Sequence, residues 1–229
     1  MRILSFIFIV ACVLSVSAQS VKDAFDEGTR SAQAAQYQTA LENYQKALTL
    51  SKTEQIDDNL LAKIHFNLGV CLYHLRRDED AVDEYHQAIR LKVDYQKAFY
   101  ALGMAETKLK NYGKAAAALG EAVRLEPDDG EAWFDLGLIL LEETNFAAAR
   151  EAFRNSIRHR SIAAADAHNN IGVLLALKQD FDAAEKEFKT ALRVSGGKSV
   201  EAQNNLRFCL VYKQNALAAA KFEFSKNQG

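Results

Sequence analysis

Apolar and small residues recur along the chain with two periods, a short one typical of helices and a long one marked by glycines. Gly69, Gly103 and Gly137 are evenly spaced, Gly172 follows at nearly the same interval, and Gly28 precedes Gly69 by a somewhat longer one. An alanine stands twelve positions after each of these glycines: Ala40, Ala81, Ala115, Ala149 and Ala184. A large apolar residue stands four positions further on: Tyr44, Tyr85, Leu119, Phe153 and Phe188. Because apolar residues three and four apart share one helix face, this pattern predicts repeats of two antiparallel helices.

The glycine and the alanine of each repeat are predicted to meet where the two helices cross. Glycine inside a helix costs about 1 kcal/mol relative to alanine and is tolerated where another backbone comes close. We therefore expect Gly137 to face Ala149, with Phe153 filling the space beside them. One pair of helices cannot bury its apolar faces alone, so the pairs are expected to stack.

The pattern resembles the tetratricopeptide repeat (TPR) family, whose signature W-x2-L-G-x2-Y…A-x3-F…P extends over about 34 residues. The fourth repeat supplies Trp133, Leu136 and Gly137, followed by Ala149 and Phe153, with Leu140 at the tyrosine position. Pro127, the only proline of the chain, stands at the turn between two repeats. The repeats are predicted at residues 21–54, 62–95, 96–129, 130–163 and 165–198. The resemblance implies an all-α fold, a right-handed α-solenoid of stacked helix-turn-helix repeats.

Residues 199–229 are predicted to end the array as a capping helix or a degenerate sixth repeat. Leu206 matches the repeat pattern, but Arg207 stands where the other repeats have glycine. Arginine prevents another helix from packing closely there. The segment "NALAAAKFEF", residues 215–224, is expected to continue this helix or to fold back as a second one.

The segment 1–18 is predicted to be a secretory signal peptide. Arg2 precedes an apolar stretch over 3–16, and Ser17 and Ala18 are small, which predicts cleavage after Ala18. A retained membrane anchor is an alternative, although the stretch is shorter than the ~20 residues of a span. A lipoprotein is another, because "IVAC" ending at Cys12 resembles a lipobox. Export predicts a periplasmic or secreted protein.

Composition limits the function further. The chain has 28 basic and 30 acidic residues, so it lacks the basic excess that phosphate binding requires, and no nucleic-acid partner is expected. Cys71 and Cys209 fall four repeats apart, too far for a disulfide, and are predicted to be buried free thiols. The alternative is a free thiol for pairing between molecules.

No motif for catalysis, a cofactor or a metal stands out. The chain has no G-x-S-x-G, G-x-G-x-x-G or P-loop sequence. No pair of the five histidines has H-E-x-x-H spacing, and His65 and His168 are predicted to pack at the fourth repeat position. The segment "EPDDGE", residues 126–131, lacks the ligand spacing of a calcium loop and predicts a turn with an acidic helix cap. We expect no enzyme activity, no cofactor and no metal.

The resemblance implies that the first helix of each repeat lines a concave surface that binds a partner. Positions 2, 5, 9 and 12 of each repeat share one helix stripe, and position 6 is often asparagine, whose amide can bind a peptide backbone. The candidate residues are Lys63, Phe66, Asn67, Val70, Tyr73, Lys97, Tyr100, Met104, Phe134, Asp135, Leu138, Asn169, Asn170, Val173, Asn204 and Asn205. Asn67 and Lys97 match part of the family's carboxylate clamp, but Phe25 and Ala101 depart from it. Packing between neighbouring first helices is the alternative role for positions 5 and 9.

The sequence therefore predicts a non-catalytic, exported adaptor or scaffold that binds a protein or peptide segment. Two alternatives remain. One is a scaffold that associates with further copies of itself through the apolar stripe. The other is an accessory subunit of a cell-envelope assembly or secretion complex.

Overall fold

The computed structural model describes residues 20–214, which form helices and contain no strand. The predicted signal peptide and the segment 215–229 lie outside the described residues. The helices are α1 Val21–Gln33, α2 Tyr37–Leu50, α3 Asp58–His74, α4 Asp78–Leu91, α5 Gln96–Lys108, α6 Tyr112–Leu125, α7 Gly130–Glu142, α8 Phe146–Arg158, α9 Ala164–Leu177, α10 Phe181–Val194 and α11 Val200–Gln214.

The chain divides into two compact units, one ending at Val93 and the other beginning at Asp94. The first unit holds the hairpins α1–α2 and α3–α4, with α2 also packed on α3. The second holds the hairpins α5–α6, α7–α8 and α9–α10, and then α11. In this unit α6 packs on α7 and α8 on α9, while α11 contacts both α9 and α10. One helical hairpin falls on each predicted repeat interval, although α3 begins at Asp58, before residue 62, and α9 at Ala164, before residue 165.

A large side chain supplies the atoms nearest to the recurring glycine of each hairpin. A Cβ added to Gly137 would lie 2.6 Å from Cε1 of Phe153, and one added to Gly69 would lie 2.6 Å from Cε1 of Tyr85. Gly28 and Gly172 face Tyr44 and Phe188 in the same way, and Gly103 faces Leu119. The expectation that Phe153 fills the space beside Gly137 is confirmed, and at Gly103 the carbonyl oxygen of Ala115 would also lie 3.3 Å from the added Cβ. Glycine is required because a large side chain packs directly against the helix backbone. In four of the five hairpins that side chain is an aromatic ring.

The two helices of every repeat are joined by the same tight turn. At position 15 the backbone is left-handed in all five repeats: Ala35, Arg76, Lys110, Thr144 and Gln179, with φ between 56° and 64°. In the fourth repeat the N–H of Asn145 donates to the carbonyl of Leu140 at 2.8 Å, and that of Thr144 to Leu141 at 2.9 Å. This is a Schellman motif, in which glycine is the usual left-handed residue.

Replacing Thr144 with glycine is expected to stabilise the protein by about 0.5–1 kcal/mol. Thr144 is β-branched and exposed, and its φ is 58°, so its Cβ is strained while its side chain contributes little packing. Glycine removes this strain and keeps the backbone hydrogen bonds. Urea unfolding of the full chain measures the change in the free energy of unfolding. Gln179→Gly is the control, because Gln179 has the same left-handed backbone conformation but no β-branched side chain. A lower stability of Thr144→Gly would contradict the assignment of strain.

Both cysteines of the described residues are free and buried, as predicted. Burial raises the pKa of the Cys71 thiol to about 11 and also raises that of Cys209, so neither thiol is activated. The Cys209 thiol donates to the carbonyl of Phe181 at 3.3 Å. Burial therefore disfavours the alternative of pairing between molecules.

The last described helix is held on α10 by polar contacts as well. Lys213 of α11 lies 2.6 Å from the Asp182 carboxylate and 2.9 Å from that of Glu185. Hydrogen bonds from Lys189 and Lys213 lower the pKa of Glu185 to about 2. Arg207, at the position of the glycine in other repeats, is exposed.

Within residues 20–214, no helix is both long enough and apolar enough to cross a bilayer.

Candidate partner-binding surface

We call the sixteen candidate residues on the first helices α3, α5, α7, α9 and α11 the first-helix surface. Their exposure falls into three classes. Two side chains are exposed: Lys63 and Lys97. Eight are partly buried: Phe66, Asn67, Val70, Tyr73, Tyr100, Met104, Leu138 and Asn204. Six are buried: Phe134, Asp135, Asn169, Asn170, Val173 and Asn205. A partner can contact the first two classes, whereas buried side chains serve the packing of the unit itself.

Phe134 and Val173 are core residues of the second unit. The Phe134 ring lies 5.6 Å from that of Phe153, with 54° between their planes, and both are fully buried. Val173 packs with Phe188 and Cys209 in the cluster that joins α9, α10 and α11. For these two positions the alternative role of packing between helices is the one observed.

The asparagines of α9 and α11 form a buried hydrogen-bonded chain. Asn205 Nδ2 donates to Asn169 Oδ1 at 2.9 Å, and Asn169 Nδ2 donates to Asn170 Oδ1 at 3.4 Å. All three side chains are fully buried. Their amides bond one another, so they connect the final helix to the fifth repeat.

Tyr100 and Asp135 make the equivalent link between α5 and α7. The Tyr100 hydroxyl donates to Asp135 Oδ2 at 2.5 Å. Burial, followed by the negative charge of Asp135, raises the pKa of Tyr100 far above its usual value, so the phenol stays protonated and the bond is charge-assisted. As with Asn169 and Asn205, position 5 of one repeat is bonded to position 6 of the next. These pairs fix the stacking of successive repeats inside the second unit.

Several apolar side chains of α5 and α7 remain accessible. Tyr100 and Met104 of α5 are partly exposed, and so are Leu138 and Leu141 of α7. Lys97 is exposed one turn before Tyr100 on α5. The candidate surface of the second unit is therefore concentrated on α5 and α7, because the corresponding side chains of α9 are buried.

In the first unit, α3 carries its own candidate surface. Phe66 is partly buried and its ring lies 6.0 Å from that of Tyr85, so it is packed from one side. Val70 and Tyr73 follow on the same stripe and are also partly buried, while Lys63 is exposed. These residues can contact a partner without leaving the positions in which packing holds them.

A repeated histidine–glutamate pair connects the two helices of the second and fifth repeats. His65 Nδ1 lies 2.6 Å from Glu84 Oε2, and His168 Nδ1 lies 2.6 Å from Glu187 Oε2. The packing role predicted for His65 and His168 is confirmed. The repeat pattern does not predict a role for the two glutamates; the only signal in the sequence is that both stand nineteen positions after their histidine. Among residues 20–214, no three side chains of metal-binding type are grouped together.

Family models identify the repeats directly. Two models, each described as tetratricopeptide repeat, match residues 62–94 and the overlapping segments 100–154 and 140–199. Together these segments cover more than half of the chain. The chain belongs to the tetratricopeptide repeat family. No curated protein matches it significantly.

Solved structures similar to this chain have the same fold. A crystal structure of MamA is 23% identical, with a TM-score of 0.66 over 75% of this chain and 95% of that one. YrrB, described as a TPR protein with an unusual peptide-binding site, is 22% identical, with a TM-score of 0.67 over 89% and 97%. MamA from Desulfovibrio magneticus RS-1 is 19% identical, with a TM-score of 0.67 over 78% and 97%. The predicted fold class, an all-α TPR solenoid, is confirmed.

Proposed function

We propose that the protein is a non-catalytic interaction scaffold that binds a peptide or protein segment on its first-helix surface. The observation that carries the proposal is the group of partly exposed apolar side chains on adjacent helices, Tyr100 and Met104 on α5 and Leu138 and Leu141 on α7. Apolar side chains grouped on one surface are a common site of protein binding. The peptide-binding site named for YrrB and the interaction role of the family support the same conclusion.

The accessible residues are suited to different parts of such an interface. Tyr100 is held by its hydrogen bond to Asp135, so little side-chain freedom is lost when a partner covers it. Met104 has a flexible side chain and can adapt to irregular partner surfaces. Lys97 stands at the edge, where a charge affects association rate and specificity more than affinity. The partner we propose is therefore a segment with apolar anchors and an acidic group at one side.

Replacing Met104 with lysine is expected to lower the affinity for the partner about tenfold or more. The lysine places a charge in an apolar contact, where the side chains at the centre of an interface contribute most of the binding free energy. The full chain and its variants would be immobilised and incubated with extract of the producing cell. Affinities of the captured partners would then be measured. Val194→Lys is the matched control, because Val194 is 46% exposed on the second helix α10. Circular dichroism first verifies that both variants are folded.

Equal binding by the Met104 and Val194 variants would reject the first-helix surface as the binding site. Loss of binding by the Val194 variant alone would place the site on the second helices. Only selective loss with Met104→Lys supports the proposal.

A second candidate function is a scaffold that associates with further copies of itself. It is favoured by the apolar character of Met104, Leu138 and Leu141, because homodimer interfaces are more apolar than transient ones. Light scattering after size exclusion separates the two functions. A stable dimer that Met104→Lys converts to a monomer would favour this candidate over a peptide scaffold.

We further propose that the protein acts outside the cytoplasm, after removal of residues 1–18, as a free adaptor or an accessory subunit of an envelope complex. The mature N-terminus is expected to be Gln19, because Ser17 and Ala18 follow the apolar stretch. Intact mass of the protein purified from its own host measures this. A lipid-modified chain beginning at Cys12, or a chain that retains Met1, would contradict it.

A further inference from the structure

The first unit contains a cleft between its second helices α2 and α4. Its volume is about 260 Å³, smaller than the ~300–1,000 Å³ typical of sites for drug-sized ligands, which suits a single side chain. The lining residues are Leu41, Gln45, Leu48, Leu68, Leu72, Arg77, Asp80, Asp83 and Glu84. None of them belongs to the first-helix surface.

The cleft has an apolar floor and a charged rim. Leu41 of α2 and Leu68 and Leu72 of α3 form the floor and are buried. Asp80, Asp83 and Glu84 come from α4, three and four positions apart, so their side chains share one face of that helix. With Arg77, the rim carries three carboxylates and one guanidinium. The electrostatic potential of the rim is therefore negative and attracts cations.

Two of the three carboxylates already have partners. The Arg77 guanidinium lies 2.7 Å from Asp80 Oδ2, and His65 Nδ1 lies 2.6 Å from Glu84 Oε2. Asp83 is exposed, and its side chain makes no hydrogen bond or ion pair with any other residue in the range 20–214. On the opposite wall, the side-chain amide of Gln45 is likewise exposed and without a partner in that range. The cleft thus offers an acceptor on each wall above the leucines.

We propose that this cleft binds an arginine side chain of a protein partner. The aliphatic part of an arginine can lie on leucines while its charged end remains at the rim. A guanidinium has five donors in a planar fork, enough to bind the Asp83 carboxylate and the Gln45 carbonyl together. Lysine satisfies the charge but presents a compact ammonium that is less able to bridge two walls. The site is separate from the first-helix surface, and the two can be tested independently.

The test is a titration of the full chain, labelled at its leucine methyl groups, with the tripeptide Ac-Ala-Arg-Ala-NH2. Methyl resonances of Leu48 and Leu72 are expected to shift and to saturate in the millimolar range. The peptide with citrulline in place of arginine has the same shape without the charge and is expected to leave them unshifted. Asp83→Asn is expected to lower the affinity for the arginine peptide about tenfold, which corresponds to the loss of one charge-assisted hydrogen bond.

The control variant is Glu79→Gln. Glu79 lies one turn before Asp83 on α4, is exposed and does not line the cleft, so the variant removes the same charge from nearly the same place. Unchanged affinity of Glu79→Gln supports the proposal. Equal weakening by both variants would mean general attraction to an acidic helix and would overturn it. So would an absence of leucine shifts, or shifts of the same size with citrulline.

Discussion

Replacing Gly137 with alanine is expected to destabilise the protein by about 1–3 kcal/mol, although alanine is the better helix former. The added Cβ would lie 2.6 Å from Cε1 and 2.7 Å from Cδ1 of Phe153. That ring is fully buried and also packs on Phe134, so it cannot move aside without disturbing the core. Overpacking therefore exceeds the ~1 kcal/mol gained in helix propensity. Urea unfolding measures the loss.

The chain provides a control for this substitution in Gly120. It lies within α6, and a Cβ added there meets no atom within 4 Å. Gly120→Ala is therefore expected to stabilise the protein by up to ~1 kcal/mol. Shifts of the same sign in the two variants would mean that the ring does not determine the cost at Gly137.

Replacing Asn169 with leucine is expected to destabilise the protein by about 1–3 kcal/mol. Leucine has a similar size but removes the acceptor of Asn205 and the donor to Asn170, and both neighbours are fully buried. Because the lost bond connects α9 to α11, amide hydrogen exchange in α11 should accelerate more than exchange in α7. Urea unfolding and exchange measured by mass spectrometry record the two effects.

Asn204→Leu is the matched control, since Asn204 is the residue next to Asn205 and is only partly buried. Its change in stability is expected to stay within ~0.5 kcal/mol. If Asn169→Leu were equally mild, or accelerated exchange evenly in α7 and α11, the buried amides would not hold the final helix in place.

The fold could be predicted from the sequence because the same spacing of glycines and large apolar residues occurs in every repeat. One glycine in a helix, such as Gly103, says little, but glycines at one spacing with large apolar residues after them predict a stacked helical hairpin. The residue that lies nearest to the glycine does not follow from the spacing, for a physical reason. Spacing indicates which residues lie near the helix crossing, but not whether Ala149 or the larger Phe153 ring reaches the backbone first.

The candidate site was harder to predict because helical spacing gives the direction of a side chain and not its depth. Asn169 and Tyr100 occupy the same repeat position, yet Asn169 is fully buried while Tyr100 is partly exposed. The difference depends on the next helix, which no single repeat contains. The left-handed turns were hidden for another reason. Thr144 and the residues at its position in other repeats are not glycine, so composition gave no sign of the conformation.

The contact between each recurring glycine and the large side chain that covers it also affects how the chain folds. In every repeat the two residues lie sixteen positions apart, as Gly28 and Tyr44 or Gly172 and Phe188 do. The contact that closes a hairpin is thus local in sequence, and chains dominated by local contacts fold fast. Each hairpin can form once its own second helix has been synthesised, before the following repeats exist. Folding can then begin at any repeat and propagate to its neighbours, as expected for a linear array.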